Sequence, residues 1–67
     1  AAKVLFPFSI EAKNTERVRV WDAFDLCEEN CMEGTEPLLI IKRNLSAPLA
    51  IMDAEWFFQN ANKLRSE

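Results

Sequence analysis

Phe6-Pro7-Phe8-Ser9-Ile10-Glu11-Ala12-Lys13-Asn14 is an apolar run that carries a glutamate and a lysine one residue apart. Side chains on a strand alternate between faces, so residues two apart share one. Read as a strand from Lys3 to Lys13, the segment sets Glu11 and Lys13 side by side at its end. Pro7 lies inside this strand and has no N–H to give a ladder, which predicts a bulge, an edge position or a late strand start there.

Downstream of this strand, Asn14 and Thr15 are turn and cap types, with Thr15 the expected N-cap of a helix. From Glu16 to Met32 the apolar residues Val20, Phe24, Cys27 and Cys31 recur at helical spacing. Trp21 widens that stripe, and Asp22, Asp25, Glu28 and Glu29 form a solvated face. Arg17 and Arg19 fall early in the predicted helix, against the dipole preference, which points to a partner for them. Gly34 is the expected stop. Pro37-Leu38-Leu39-Ile40-Ile41, inside Glu36 to Lys42, reads as a strand buried on both faces. A turn over Asn44 to Ala47 then leads by hairpin into a short strand, Pro48 to Met52. Asp53 is the expected N-cap of a closing helix whose inner face is Phe57, Phe58, Ala61 and Leu64. Lys63 and Arg65 suit the last turn of that helix.

The predicted order is β-α-β-β-α. A strand, a crossover helix and a buried strand imply a parallel pair, to which the third strand adds antiparallel at the edge. The expectation is an α/β fold with a three-stranded mixed sheet and two helices whose aromatic residues pack on it.

Composition narrows the chemistry. The chain has 67 residues, 49% of them apolar and 28% charged, which is the make-up of one small folded domain rather than of a disordered segment. A net charge of −3 argues against a nonspecific polyelectrolyte binder. The chain contains no histidine, so neither a histidine ligand nor a histidine base comes from it. Cys27 and Cys31 are four apart, with no second pair for zinc, and read as small apolar core residues in a reducing compartment. No apolar run is long enough to span a membrane.

Glu11 and Lys13 admit two readings. Spacing alone favours a surface ion pair at a strand end. A carboxylate beside an ammonium is also the pairing used in metal-assisted phosphodiester cleavage, where the acid holds a divalent cation and the lysine offsets developing charge. The flanks extend this second reading. FPFSIEAKNTERVRVWDAFDLCEEN, followed by EPLLIIKRNLSAPLAIMDAEWFF, resembles small phage-type nucleases of the PD-(D/E)xK superfamily, which are restriction-endonuclease-like and similar to Holliday junction resolvases. The resemblance runs from about Lys3 to about Phe58.

That resemblance implies a reduced restriction-endonuclease-like core, the C-terminal part of a nuclease domain, cleaving DNA with Mg²⁺ or Mn²⁺. Glu11 matches its metal-binding acid and Lys13 its lysine, with the backbone carbonyl of Ala12 completing the metal shell. Glu16 matches a supporting glutamate, which otherwise only caps the helix, and Lys42 and Arg43 match contacts to the DNA backbone; Arg17 and Arg19, just past the strand, either join them on the active edge as further backbone contacts or are ordinary solvated charges. The implied setting is a phage-encoded protein in the cytoplasm of a bacterial host, working as a homodimer. Two departures stand out. The superfamily's upstream aspartate has no counterpart, because no acidic residue precedes Glu11; a further segment or a partner chain then supplies it, or the site is degenerate. Leu26 also stands where a glutamine is common. The rival class is a non-catalytic DNA- or protein-binding module such as an antitoxin of the Phd/YefM type, which shares the strand and helix order but has no use for a Glu–Lys pair.

Overall fold

In a computed structural model, residues 3–64 are described. Four strands and two helices follow in the order β1 (Lys3–Leu5), β2 (Phe8–Asn14), α1 (Val20–Glu29), β3 (Glu36–Lys42), β4 (Leu49–Ile51) and α2 (Ala54–Leu64). The strands form one mixed sheet in the spatial order β1-β2-β3-β4. β2 and β3 are parallel, from Phe8 opposite Glu36 to Asn14 opposite Lys42. β4 adds antiparallel to β3 at the edge, with Ile41 opposite Leu49. The chain is thus a small α/β fold with a mixed sheet and two helices.

The sheet has four strands, not the expected three, and the order is β-β-α-β-β-α. Pro7 is the reason. Lacking an N–H, it cannot continue a ladder, and the chain reverses at Phe6–Pro7, a cis peptide, instead of running straight from Lys3 to Lys13. β1 folds back antiparallel on β2, with Leu5 opposite Phe8 and Lys3 opposite Ile10. The Pro7 carbonyl, still able to accept, takes a hydrogen bond from Glu36 N–H at 2.8 Å and starts the β2–β3 ladder. Thr15 N–H, donating to Lys42 O at 3.1 Å, closes its other end.

Alternation divides the sheet into two faces. Ser9, Glu11 and Lys13 of β2 share one face with Leu39, Ile41 and Ile51. α1 covers that face, burying Ala23 and Cys27 against Leu39, with Val18, Phe24, Ile41 and Ile51 packed around them. Phe8 lies on the opposite face, where α2 meets it through Trp56, the two rings edge to face with centroids 5.4 Å apart.

The helices differ from expectation in their ends and rotation. α1 begins at Val20 rather than Glu16, and its N-cap is Arg19, extended at φ −85° and ψ 97°, with no side-chain cap. Thr15 is not a cap: its hydroxyl donates to the Arg17 carbonyl at 2.7 Å within the approach to the helix. Arg17 and Arg19 therefore precede the helix, and the dipole conflict disappears. The helix ends at Glu29, before Cys31, and Gly34 serves the following turn with φ 85°. Trp21 is 82% exposed, because the packed positions are Ala23 and Cys27, one turn apart. In α2, Asp53 caps as expected, its Oδ1 accepting from Trp56 N–H at 2.8 Å. The half-buried positions there are Trp56, Asn60 and Ala61, whereas Phe58 is 75% exposed and Phe57 is also exposed. Arg65 and the side chain of Leu64 lie outside the described residues.

The core is thin. Leu39 and Cys27 are its only large, fully enclosed apolar side chains among the described residues, and the strand Leu38 to Ile41 is otherwise half-buried. The chain exposes 5484 Å², where a compact protein of 7.7 kDa exposes about 4,300 Å².

Candidate functional site

β2 places Glu11 and Lys13 together on the face covered by α1, as the period of two requires. Both are half-buried. Glu11 Oε1 is enclosed and has no hydrogen-bond partner among the described residues. A buried carboxylate oxygen left without a donor is costly, so this atom is in want of a cation or a proton donor. Lys13 does not supply it: the only ion pair among the described residues joins Arg19 Nη1 to Asp22 Oδ2 at 3.7 Å. The simple surface-pair reading of Glu11 and Lys13 is therefore not what the fold adopts.

Cys27 lies over the same part of the strand and is 1% exposed. Burial, and after it the nearby Glu11 carboxylate, pushes its thiol above the ordinary range, so Cys27 stays protonated and unreactive. It belongs to the core, as its sequence context predicts.

The basic residues divide between two hollows. Lys13 joins Arg17, Arg19 and Asp22 along a shallow groove of about 290 Å³. Lys42 and Arg43 line a separate cleft of about 480 Å³, with Ser46, Ile41 and Leu49. Thr15 and Val18 form the ridge between them and line both. Arg17, Arg19, Lys42 and Arg43 thus fall in two adjoining hollows rather than in one cluster. Glu16 is outside the helix; its Oε2 accepts from Asn44 N–H at 2.8 Å and so ties the approach to α1 to the β3–β4 turn. Ala12 faces away from Glu11, opposite Ile40 in the ladder.

A second polar cluster holds the start of β2. Ser9 is fully buried. Its Oγ accepts from Met32 N–H at 3.0 Å and bonds the Thr35 hydroxyl, which in turn donates to Met32 O at 2.6 Å. Cys31 Sγ donates to Thr35 O at 3.3 Å. These bonds pin the α1–β3 connection beneath the strand that carries Glu11. The signal in the sequence was a lone serine in an apolar strand, on the same face as Glu11.

Toward a metal ion the fit is partial. Glu11 offers one orphaned carboxylate oxygen. Among the described residues no three His, Cys, Asp or Glu side chains converge as a ligand set, and no helix is long and apolar enough to cross a membrane. Comparison with known proteins finds no matching family model, no matching curated protein and no matching solved structure.

Proposed function

We propose that this domain is the restriction-endonuclease-like part of a metal-dependent DNA endonuclease of the PD-(D/E)xK type. The observation that carries the reading is the enclosed Oε1 of Glu11 on the same face as Lys13, neither of which has a hydrogen-bond or ion-pair partner there among the described residues. An acid held without a donor beside a lysine held without an acid is poor for stability. It is suited to a cation and a phosphate that complete both. Glu11 and the Ala12 carbonyl would hold Mg²⁺ or Mn²⁺, with a second acid supplied by another segment or by the partner in a homodimer. The bound ion would supply Lewis-acid activation of water and of the phosphodiester. The Lys13 ammonium would orient the attacking water and offset charge gathering on the phosphate oxygens. Arg17 and Arg19 along the groove, with Lys42 and Arg43 beyond the ridge, would hold the DNA backbone on either side.

The test is cleavage of linear, single-stranded and four-way-junction DNA by the natural polypeptide carrying this domain, with and without Mg²⁺. Glu11→Ala and Lys13→Ala should each lower the rate by at least about 100-fold. Metal-independent cleavage, or equal rates in the variants, defeats the proposal. DNA binding with no cleavage under any condition moves the domain to the non-catalytic binding class.

A further inference from the structure

The cleft beside Lys42 and Arg43 has a chemistry that backbone contact alone does not use. It opens beyond the carboxyl ends of the parallel strands β2 and β3, the position at which open α/β sheets receive ligands. Its volume, about 480 Å³, falls in the range of small-molecule sites. Its floor is aliphatic, from Val18, Val20, Ile41 and Leu49, and its rim carries two cations, Lys42 and Arg43, one carboxylate, Glu16, which Asn44 N–H engages, and the Thr15 hydroxyl. In a chain of net charge −3, two cations against one carboxylate make this rim locally positive around an apolar floor.

The rim is also held in place. Thr15 is bonded to β3 through its backbone, and Glu16 anchors Asn44. Arg43 Nε donates to Ser46 Oγ at 3.2 Å, which turns the guanidinium along the rim. The turn between them puts Leu45 at φ 62°, a left-handed conformation that a leucine rarely takes. Lys13 is directly opposite Ile41 in the ladder, so the candidate catalytic lysine and the cleft floor are neighbours about 4.8 Å apart across the strands.

We propose that this cleft receives one unpaired nucleotide of a nucleic-acid strand, its base lying on Val18, Ile41 and Leu49 and its phosphate against Lys42 and Arg43. An apolar floor takes the base face, which every base offers, and the rim cations take the phosphate. The inference deepens the nuclease reading and rests on its nucleic-acid substrate, naming that substrate as DNA with a single-stranded or everted nucleotide next to the cut. The source of the nucleotide, a strand or a free mononucleotide, is settled by the ligands compared.

The experiment is fluorescence anisotropy in EDTA, so that cleavage plays no part. The ligands are a labelled single-stranded oligonucleotide, the same sequence as blunt duplex, an abasic strand of equal length, and a mononucleotide as competitor. The single strand should bind at least about tenfold tighter than the abasic strand or the duplex, and the mononucleotide should compete weakly. Ala47→Trp, which fills the cleft from an exposed position, should abolish the preference for bases. Leu49→Ser should weaken it. Lys42→Ala and Arg43→Ala should weaken all strands alike and flatten the salt dependence by about 0.7 for each lost phosphate contact. Circular dichroism confirms that each variant is folded. Equal binding of normal and abasic strands, equal binding of duplex, no binding, stronger binding of the mononucleotide than of the strand, or an unchanged preference in Ala47→Trp overturns the proposal. Glu11→Met separates the two readings: it should lose cleavage and keep the base preference. A base preference in a protein that never cleaves sinks the nuclease while sparing the cleft.

Discussion

The two faces of the sheet are built on different principles. The face under α1 holds every fully buried side chain among the described residues, Ser9, Cys27 and Leu39, and also the two polar groups proposed to act, Glu11 and Lys13. The face toward α2 is joined chiefly by one aromatic pair, Phe8 and Trp56, and leaves Phe57 and Phe58 to solvent. Stability and candidate chemistry are thus concentrated on one side, and a residue there answers to both.

The strongest way to break the comparison is to cut the core on each side. Leu39→Ala removes the one large, fully enclosed aliphatic side chain and should cost about 2–5 kcal/mol. A 67-residue chain has roughly 3–10 kcal/mol in total, so the variant should lose about half of it and unfold at a much lower urea concentration. Trp56→Ala, from a half-buried position, should cost only about 1–3 kcal/mol in the same titration. A greater loss from Trp56 than from Leu39 would reverse the assignment of the core.

Glu11→Met sharpens it from the other direction. It replaces a carboxylate with an unpartnered oxygen by an apolar side chain of similar length and should raise stability by about 1–3 kcal/mol while abolishing cleavage. Loss of stability in this variant would show that Glu11 has a partner in solution. On the turn that shapes the cleft, Leu45→Gly should gain about 1 kcal/mol, because glycine takes the left-handed conformation freely; an unchanged melting temperature would mean the turn relaxes.

The smallest effect belongs to Glu36. Burial first, then the Asp53 and Glu28 carboxylates, raises its acid above the ordinary value. A raised pKa means that the folded state holds the proton more tightly than the unfolded one. The associated stability is present below about pH 4 and is lost as pH rises through the folded value. Glu36→Gln should therefore gain a few tenths of a kcal/mol at pH 7 and nothing at pH 3, read as the difference between thermal melts at the two values.

Period-two alternation was enough to put Glu11 and Lys13 on one face, and an unbroken Leu-Leu-Ile-Ile run was enough to place β3 beside β2 in parallel. Both depend on residues close in sequence. Pro7 marks a defect in the strand, but whether a proline bulges a strand or reverses it depends on what lies across from it. Here Leu5 meets Phe8. The rotation of α2 is not legible in the sequence, because Trp56, Phe57 and Phe58 are equally apolar and only the position of Phe8 selects Trp56. The bond from Asn44 to Glu16 spans 28 residues and has no local signature. For the same reason Lys42 and Arg43 could not be assigned to a cleft distinct from the groove of Lys13.

The parallel pairing of β2 with β3 joins partners separated by the whole crossover, Phe8 with Glu36 and Asn14 with Lys42. Hairpins such as β3–β4 close in about 1–10 μs, whereas contacts of high sequence separation wait on loop closure and set the pace of folding. The floor of the cleft, the ridge at Thr15 and the enclosure of Glu11 all depend on that slow step. The candidate site therefore forms last, once Leu49 has been made and Lys42 has found Asn14.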